Sequence, residues 1–231
     1  MKNIELHIFI FVALLFTIKG FGQERIYLDE KGDSISLNEY RKKRGNFSRW
    51  DSIDSKEIRY SILRPQYLFG LADYAKVKEE LEKTILKKIA DSSTIIIEYY
   101  FKNDLCSSKR KNKWGRYKIN NRKKFLKSIK KELNDKGITF ICLFEEGIVL
   151  MNNPKNKKEF FFSDKTNFFK SKLFTHNALC GSFAAIKTNG EILVRNGEYR
   201  ADRFAEYLKP ENWSLFFKQS QENKDVIKTR F

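Results

Sequence analysis

The sequence is poor in the residues that build metal sites and rigid turns. Its 231 residues include three cysteines, three prolines and two histidines. So few histidines and cysteines exclude a zinc site built from several such ligands, and no metal is expected. Acidic residues are also in deficit, with 29 Asp and Glu against 46 Lys and Arg and a formal net charge of +17. Gly-rich phosphate loops and serine-nucleophile motifs are missing as well, so no cofactor is expected.

The hydrophobic content excludes a wholly disordered chain, because 41% of the residues are hydrophobic and 15% are aromatic. The longest apolar run lies near the start. Residues 1–22 have a basic residue, an apolar run over 8–16, and small residues at Gly20 and Gly22. This pattern is typical of a secretory signal peptide, and the run is shorter than the roughly 20 residues that span a bilayer. We expect cleavage after Gly22, no transmembrane span in the mature chain, and export to the periplasm or beyond.

Most of the excess positive charge lies in one segment. Residues 106–131 contain twelve Lys and Arg and no acid, with Trp114, Tyr117 and Phe125 interleaved. Such a segment attracts polyanions by counterion release, but it is equally typical of a solvated surface. For an exported protein, lipopolysaccharide phosphates or acidic glycans are favoured over nucleic acid. The candidate polyanion-binding residues are Lys109, Arg110, Lys111, Lys113, Arg116, Lys118, Arg122, Lys123 and Lys124.

The middle of the chain alternates helices with buried strands. Apolar residues at helical spacing predict a helix over 73–90, with Asp73 as its N-cap. Continuous apolar runs at 94–101 and 138–144 predict strands that are buried on both faces. Between them, 121–136 is predicted to be helical. Helices between buried strands imply right-handed crossovers and a parallel pair of strands.

The remaining elements complete a mixed sheet. Residues 163–174 are predicted to form a helix. Two apolar runs, 181–187 and 191–195, are joined through an Asn-Gly turn and predict a hairpin. A helix over 201–208, ended by Pro210, follows. The predicted fold class is therefore α/β, with a mixed four-stranded sheet flanked by helices on both faces.

The segment 23–70 is predicted to be a β-rich N-terminal extension. Residues 25–38 indicate a hairpin that turns at 30–33, 39–56 is polar and mixed in charge, and 57–70, which contains a proline, indicates an edge strand or extended cover. The predicted organisation is a signal peptide (1–22), the extension (23–70), an α/β domain (71–210) and a tail (211–231) with a short helix over 213–219.

The order of elements over 72–209 resembles the thioredoxin-like fold. The helix and strand that precede Cys106 look like the lead-in to that family's active-site turn, and 178–192 is similar to its closing strand–turn–strand. The resemblance implies a thiol–disulfide redox site at the turn that holds Cys106. The sequence departs from the family in two places. The Cys-x-x-Cys pair is reduced to one cysteine, and the family's cis-proline is missing near Cys180.

The three cysteines leave several alternatives open. The resemblance places Cys106 and Cys180 on adjacent loops at one end of the sheet, and Cys142 in the core. Cys106 and Cys180 would form a structural disulfide, form a redox-active one, or stay unpaired; the basic segment would stabilise a thiolate at Cys106. His176 is considered as a proton-relay partner or an ordinary surface residue, and Asp104 as a base or a turn cap.

Three functions remain. The preferred one is an exported thioredoxin-like module without the paired redox cysteines, either non-enzymatic or degenerate, which acts by binding an unidentified protein or an acidic envelope polymer. The second is a thiol–disulfide redox protein that uses Cys106 with Cys180 as its catalytic pair. The third is a polyanion-binding protein that uses the basic segment 109–131.

Overall fold

The structure is a computed structural model, and it describes residues 25–106, 111–217 and 229–230. The predicted signal peptide, the candidate residues Lys109 and Arg110, and the end of the predicted tail helix lie outside the described residues. The strands are β1 (Arg25–Leu28), β2 (Ser34–Ile35), β3 (Phe47–Ile53), β4 (Arg59–Pro65), β5 (Tyr67–Leu71), β6 (Thr94–Tyr100), β7 (Lys113–Trp114), β8 (Ile138–Glu145), β9 (Val149–Leu150), β10 (Phe161–Asp164), β11 (Ser182–Ile186), β12 (Glu191–Asn196) and β13 (Thr229–Arg230). The helices are α1 (Leu37–Lys43), α2 (Tyr74–Ile85), α3 (Arg116–Asp135), α4 (Phe168–Lys172), α5 (Phe204–Tyr207) and α6 (Pro210–Phe217). None of these helices has the length and apolarity that a membrane span requires.

A mixed seven-stranded sheet forms the centre of the described chain, in the order β10-β8-β6-β11-β12-β5-β13. β8 runs parallel to β6, whereas β11 runs antiparallel to β6 and β12 antiparallel to β11. The inner four strands therefore lie in the order β8-β6-β11-β12. Counted along the chain, this is second, first, third and fourth, and the third strand, β11, runs antiparallel to the other three. This is the thioredoxin-like arrangement, so the predicted fold class is confirmed. The sheet is wider than the predicted four strands because β5, β10 and β13 extend its edges.

Helices cover both faces of this sheet, as predicted. Neighbouring residues of a strand point to opposite faces, and Glu98 and Tyr99 of β6 show which helix lies on each. Arg122 of α3 pairs with Glu98. Phe174, which follows α4, stacks on Tyr99 with 4.4 Å between ring centroids. α3 and α4 therefore pack on opposite faces.

The central strands are buried because their sequences are predominantly apolar. Every residue of β6 after Thr94 is buried, and Ile95, Ile96 and Ile97 are wholly inaccessible to solvent. Burying such a side chain contributes about 1.5–3 kcal/mol. The predicted strands over 94–101 and 138–144 therefore form, within one residue of their expected ends.

The main helices begin and end where local chemistry allows. Asp73 accepts a hydrogen bond from the Lys76 backbone N–H at 3.0 Å, so the predicted N-cap of α2 is confirmed. α2 ends earlier than predicted because Leu86 adopts a left-handed conformation. α3 begins at Arg116 rather than at 121, because its buried stripe already starts at Ile119.

One helix prediction in the second half is wrong, and the tail helix begins earlier than predicted. The segment 163–174 is not one helix, because Phe161–Asp164 forms β10, which pairs with β8 and leaves only Phe168–Lys172 helical. The missed signal is the apolar run that precedes 163. Pro210 begins α6 rather than only ending the previous helix, which is consistent with the preference of proline for a first helical turn.

The N-terminal segment forms a second sheet, in the order β2-β1-β4-β3. The predicted β1–β2 hairpin is confirmed. The prediction of an edge strand for 57–70 is wrong, because β4 lies between β1 and β3 and its proline is tolerated as the last residue. The polar segment 39–56 contains α1 and β3. β5 pairs with β12 and thus belongs to the central sheet.

Gly181 should tolerate a side chain much less well than Gly32. It has φ +88, and a Cβ there would lie 2.7 Å from the carbonyl oxygen of Tyr99, whereas Gly32 has φ +95 with nothing within 4 Å. We expect Gly32→Ala to cost about 1–2 kcal/mol of unfolding free energy for the left-handed backbone. Gly181→Ala should cost roughly 1–3 kcal/mol more, because the sheet must shift. Urea unfolding of both variants measures this difference, and equal losses would contradict it.

Candidate functional site

The candidate site is built around a disulfide between Cys106 and Cys180, whose Cα atoms are 5.1 Å apart. Cys106 follows β6 and Cys180 precedes β11. Because β11 is antiparallel to β6, the end of one and the start of the other meet at the same end of the sheet. The structure thus joins the two residues that the resemblance brought together. Cys142 is free and buried, as predicted.

Hydrogen bonds hold both loops that carry the disulfide. Buried Asp104 accepts a hydrogen bond from the Cys106 N–H at 2.9 Å, so it caps a turn. Cys180 has φ +66, a left-handed conformation that costs a non-glycine residue about 1–3 kcal/mol. Beside it, Leu179 donates its N–H to the carbonyl of Arg49 in β3 at 2.9 Å. The disulfide and this contact with the N-terminal sheet fix the Cys180 backbone.

A cavity of about 490 Å³ opens beside the disulfide. The N-terminal sheet lines it with Arg49, Asp51 and Arg59. The Asp51 carboxylate accepts a hydrogen bond from a serine hydroxyl at 2.8 Å and lies 3.8 Å from the Arg49 guanidinium. Cys106 is exposed and Cys180 half-buried. The wall beside the sulfurs therefore carries two guanidinium groups, which favour an anion or a thiolate.

The residues that line this wall were missed from the sequence, because the strand that carries Arg49 has no local signal. The apolar residues of FSRWDSI (47–53) recur every third residue rather than every second one, so the alternation of a strand is missing. The segment becomes a strand by pairing with β4. A signal exists only for the preceding helix, where Ser36 and Glu39 form a capping box at the start of α1.

The side chain of His176 contacts Thr175 rather than a cysteine. Its Nδ1 is 3.1 Å from the hydroxyl of Thr175. Burial, together with the charges of Arg64 and Lys170, lowers the pKa of His176, so the ring is neutral at neutral pH. These contacts give a Cys–His relay no support. Across the described ranges, no group of three or more His, Cys, Asp or Glu is arranged to hold a metal ion.

A buried polar network lies under α3. Glu98 is wholly buried and pairs with Arg122, accepts a hydrogen bond from the Tyr199 hydroxyl at 2.7 Å, and has the Cys142 sulfur at 3.1 Å. Burial opposes the charge on Arg122, but the Glu98 carboxylate more than offsets this and raises the pKa of Arg122. Burial and Glu98 raise the pKa of the Cys142 thiol well above its usual range. Cys142 therefore remains a protonated donor.

The candidate polyanion residues do not share one face. Arg122 points to the core, Lys123 pairs with Glu159 at 2.7 Å, and Lys118 lies 3.9 Å from the ring centroid of Trp114. The other described candidates are mostly exposed: Lys111, Lys113, Arg116 and Lys124.

The interleaved aromatic residues are also dispersed. Trp114 is 2% exposed and packs in the core, so it offers no face to a base, whereas Tyr117 and Phe125 are 81% and 52% exposed on α3. A stacking surface for nucleic acid therefore does not form around Trp114.

Comparisons with known proteins give structural likeness alone, since neither a family model nor a curated protein matches the chain. A pneumococcal exposed lipoprotein thioredoxin from Streptococcus pneumoniae is 11% identical with a TM-score of 0.35, over 70% of this chain and 98% of its own. A thioredoxin-family thiol:disulfide interchange protein from Chlorobium tepidum is 12% identical with a TM-score of 0.31, over 70% and 92%. The thioredoxin domain of a thiol-disulfide oxidoreductase from Bacteroides vulgatus is 12% identical with a TM-score of 0.31, over 70% and 91%. The assignment of the fold rests on the strand order of the chain itself.

Replacing Arg122 should lower the free energy of unfolding far more than replacing a lysine whose ion pair is exposed. Arg122→Met leaves the Glu98 carboxylate buried and unpaired, which should cost about 3–5 kcal/mol of unfolding free energy. Adding Glu98→Gln should restore more than half of the loss, because the amide still accepts hydrogen bonds. Lys136→Met is the control: its pair with Glu132 is exposed, so the loss should stay below about 0.5 kcal/mol. Chemical unfolding measures all three variants, and similar losses for Arg122→Met and Lys136→Met would contradict a structural role of the buried pair.

Proposed function

We propose that this chain is an exported thioredoxin-like module that acts by binding, and that the Cys106–Cys180 disulfide is a permanent structural bond rather than a catalytic one. The observation that carries the proposal is the position of the two sulfurs. They belong to separate loops 74 residues apart in sequence, whereas the family's redox pair lies within one turn. The bond holds two loops together instead of forming a small reducible ring.

The surroundings of Cys106 support a structural bond. A reactive thiolate in this fold class is usually stabilised by a helix N-terminus. Here the next described helix, α3, begins at Arg116, after Gly115 as N-cap. Opening the bond would also release a long loop, and closing that loop restricts the unfolded chain by about 4 kcal/mol.

Export is supported by the same bond. Disulfides persist in oxidising compartments and are rare in the cytosol. The N-terminal sequence, with its short apolar run and small residues before Gln23, has the pattern of a cleaved signal peptide. A disulfide that closes a loop between residues 74 positions apart suits a protein that works outside the cytoplasm.

One observation favours the redox alternative, namely the exposure of Cys106 beside an arginine-lined cavity. In that reaction, the thiolate of a substrate dithiol attacks Cys106 and displaces Cys180 as a thiolate, which Arg49 and Arg59 would stabilise. The second substrate thiol then attacks the mixed disulfide. The substrate leaves oxidised, and Cys106 and Cys180 are left as two thiols.

A thiol-trapping experiment separates the two functions. The purified oxidised chain is incubated with excess reduced thioredoxin or with glutathione, free thiols are alkylated, and the products are identified by mass spectrometry. We expect Cys106 and Cys180 to stay bonded, and Cys142 to react only after denaturation because it is buried. Opening of the bond in the folded chain, followed by its return on addition of an oxidised substrate, would overturn the proposal.

The matched control is Cys142→Ser, which removes the buried thiol and leaves the disulfide as the only thiol source. The double variant Cys106→Ser/Cys180→Ser should unfold at lower denaturant concentration, with a loss of roughly 4 kcal/mol from the freed loop. An unchanged midpoint for the double variant would contradict a structural role of the bond.

A further inference from the structure

Two neighbouring cavities of about 720 and 450 Å³ lie between α3 and the loop 151–160. Asn120 and Lys123 line both of them, and together we call the two cavities the α3 groove. The α3 groove shares no lining residue with the cavity beside the disulfide.

One half of the α3 groove is strongly cationic. Seven lysines line it against a single carboxylate, that of Asp135. Five of the lysines lie on α3 between Lys123 and Lys131, and the opposite wall supplies Lys157 and Lys158. A cleft with one sign of charge on both walls focuses the electric field and concentrates counter-ions.

The other half is rich in carboxamides. Four asparagines line it together with Arg116, Lys123 and Glu159: Asn120, Asn152, Asn153 and Asn156. The side-chain oxygens of Asn153 and Asn156 already accept from backbone N–H groups of the loop, so the NH2 groups of these residues are the ones that can donate to the hydroxyl groups of a sugar.

The walls of the α3 groove are fixed before any ligand arrives. Lys87 donates hydrogen bonds to the carbonyl oxygens of Lys157 and Glu159, both at 2.9 Å. The Glu159 side chain then ties the loop to α3 through Lys123 at 2.7 Å. The walls therefore lose little conformational entropy when a ligand binds in this groove.

The surroundings of one groove lysine oppose its charge. Burial and the nearby charge of Lys87 lower the pKa of Lys130. Lys130 is half-buried and lies over the ring of Phe160. An anion placed between the walls would offset this repulsion.

We propose that the α3 groove binds an acidic glycan, with its acidic groups on the lysines and its hydroxyl groups on the asparagines. Lys127 and Lys130 lie one turn apart on α3, where such side chains are about 5–6 Å apart, whereas Lys123 is already held by Glu159. This spacing suits acidic groups carried on sugar units. The inference goes beyond the proposed function by naming the class of partner, and it does not depend on the state of the disulfide.

Nucleic acid fits the groove less well. Among the residues that line its two cavities, Phe160 supplies the aromatic ring, and it is only 7% exposed. Bases would therefore find no platform on which to stack. Asparagine amides beside lysines instead match a polymer with both hydroxyl and acidic groups.

The test is fluorescence anisotropy with a labelled heparin hexasaccharide as the acidic glycan, at fixed salt. One variant removes four charges inside the groove: Lys127→Gln, Lys130→Gln, Lys157→Gln and Lys158→Gln. The matched control removes four exposed lysines elsewhere: Lys31→Gln, Lys56→Gln, Lys172→Gln and Lys209→Gln. We expect the groove variant to bind at least about tenfold more weakly and the control to change by less than about threefold. Circular dichroism and thermal melting verify that both variants fold.

A second pair of variants tests sugar recognition apart from charge. Asn120→Ala removes a carboxamide shared by both cavities, and Asn121→Ala removes its exposed neighbour on the same helix, which lines neither cavity. We expect Asn120→Ala to weaken hexasaccharide binding about threefold and Asn121→Ala to leave it unchanged.

Two results would overturn the inference. Equal losses for the two four-lysine variants would mean that only overall charge attracts the glycan. Equally tight binding of a labelled oligo(dT), with the same sensitivity to Asn120→Ala, would mean that the groove selects no sugar. Its failure is distinguishable from that of the proposed function, because a disulfide that thioredoxin opens would overturn the latter while hexasaccharide binding persists.

Discussion

The ion pair between Glu98 and Arg122 is the constraint on which the arrangement of α3 depends. A carboxylate in the middle of the sheet is tolerated only when it is paired and hydrogen-bonded, and Arg122, Tyr199 and Cys142 supply those partners. The pair and the buried apolar stripe from Ile119 to Leu133 together fix the rotation of α3 about its own axis. Because residues of a helix advance by about 100° each, the stripe next to the buried one, which includes Lys123 and Lys127, must face the loop on its side. The position of the lysines in the groove therefore follows from the way α3 is anchored in the core.

At the end of the molecule that holds the disulfide, the structure depends on a contact between the N-terminal sheet and the central sheet. The backbone of Leu179 donates to Arg49, so the loop before β11 is attached to the N-terminal sheet as well as to the central one. Asn196 strengthens the same junction, since its side-chain amide donates to the carbonyl of Pro65 at 2.9 Å and its oxygen accepts from Ser182 at 3.1 Å. The N-terminal segment is thus part of the site's wall rather than a separate appendage.

The sequence predicts those parts of the fold whose signals are local. Two continuous apolar runs gave β6 and β8, an Asn-Gly turn gave the β11–β12 hairpin, and Asp73 gave the start of α2. The misses have tertiary causes. β10 is short and becomes a strand only because β8 lies beside it. The charge block around Arg122 contains no indication that one arginine must turn inward to meet Glu98, and the groove needs Lys157 and α3 together, which are distant in sequence.

The disulfide also changes the connectivity of the chain. It closes a covalent ring that contains β8, α3, β10 and α4, together with both walls of the α3 groove. A single cut of the backbone anywhere between Cys106 and Cys180 would open this ring without separating the two pieces. The groove-bearing part of the molecule would therefore stay covalently attached after one proteolytic cut.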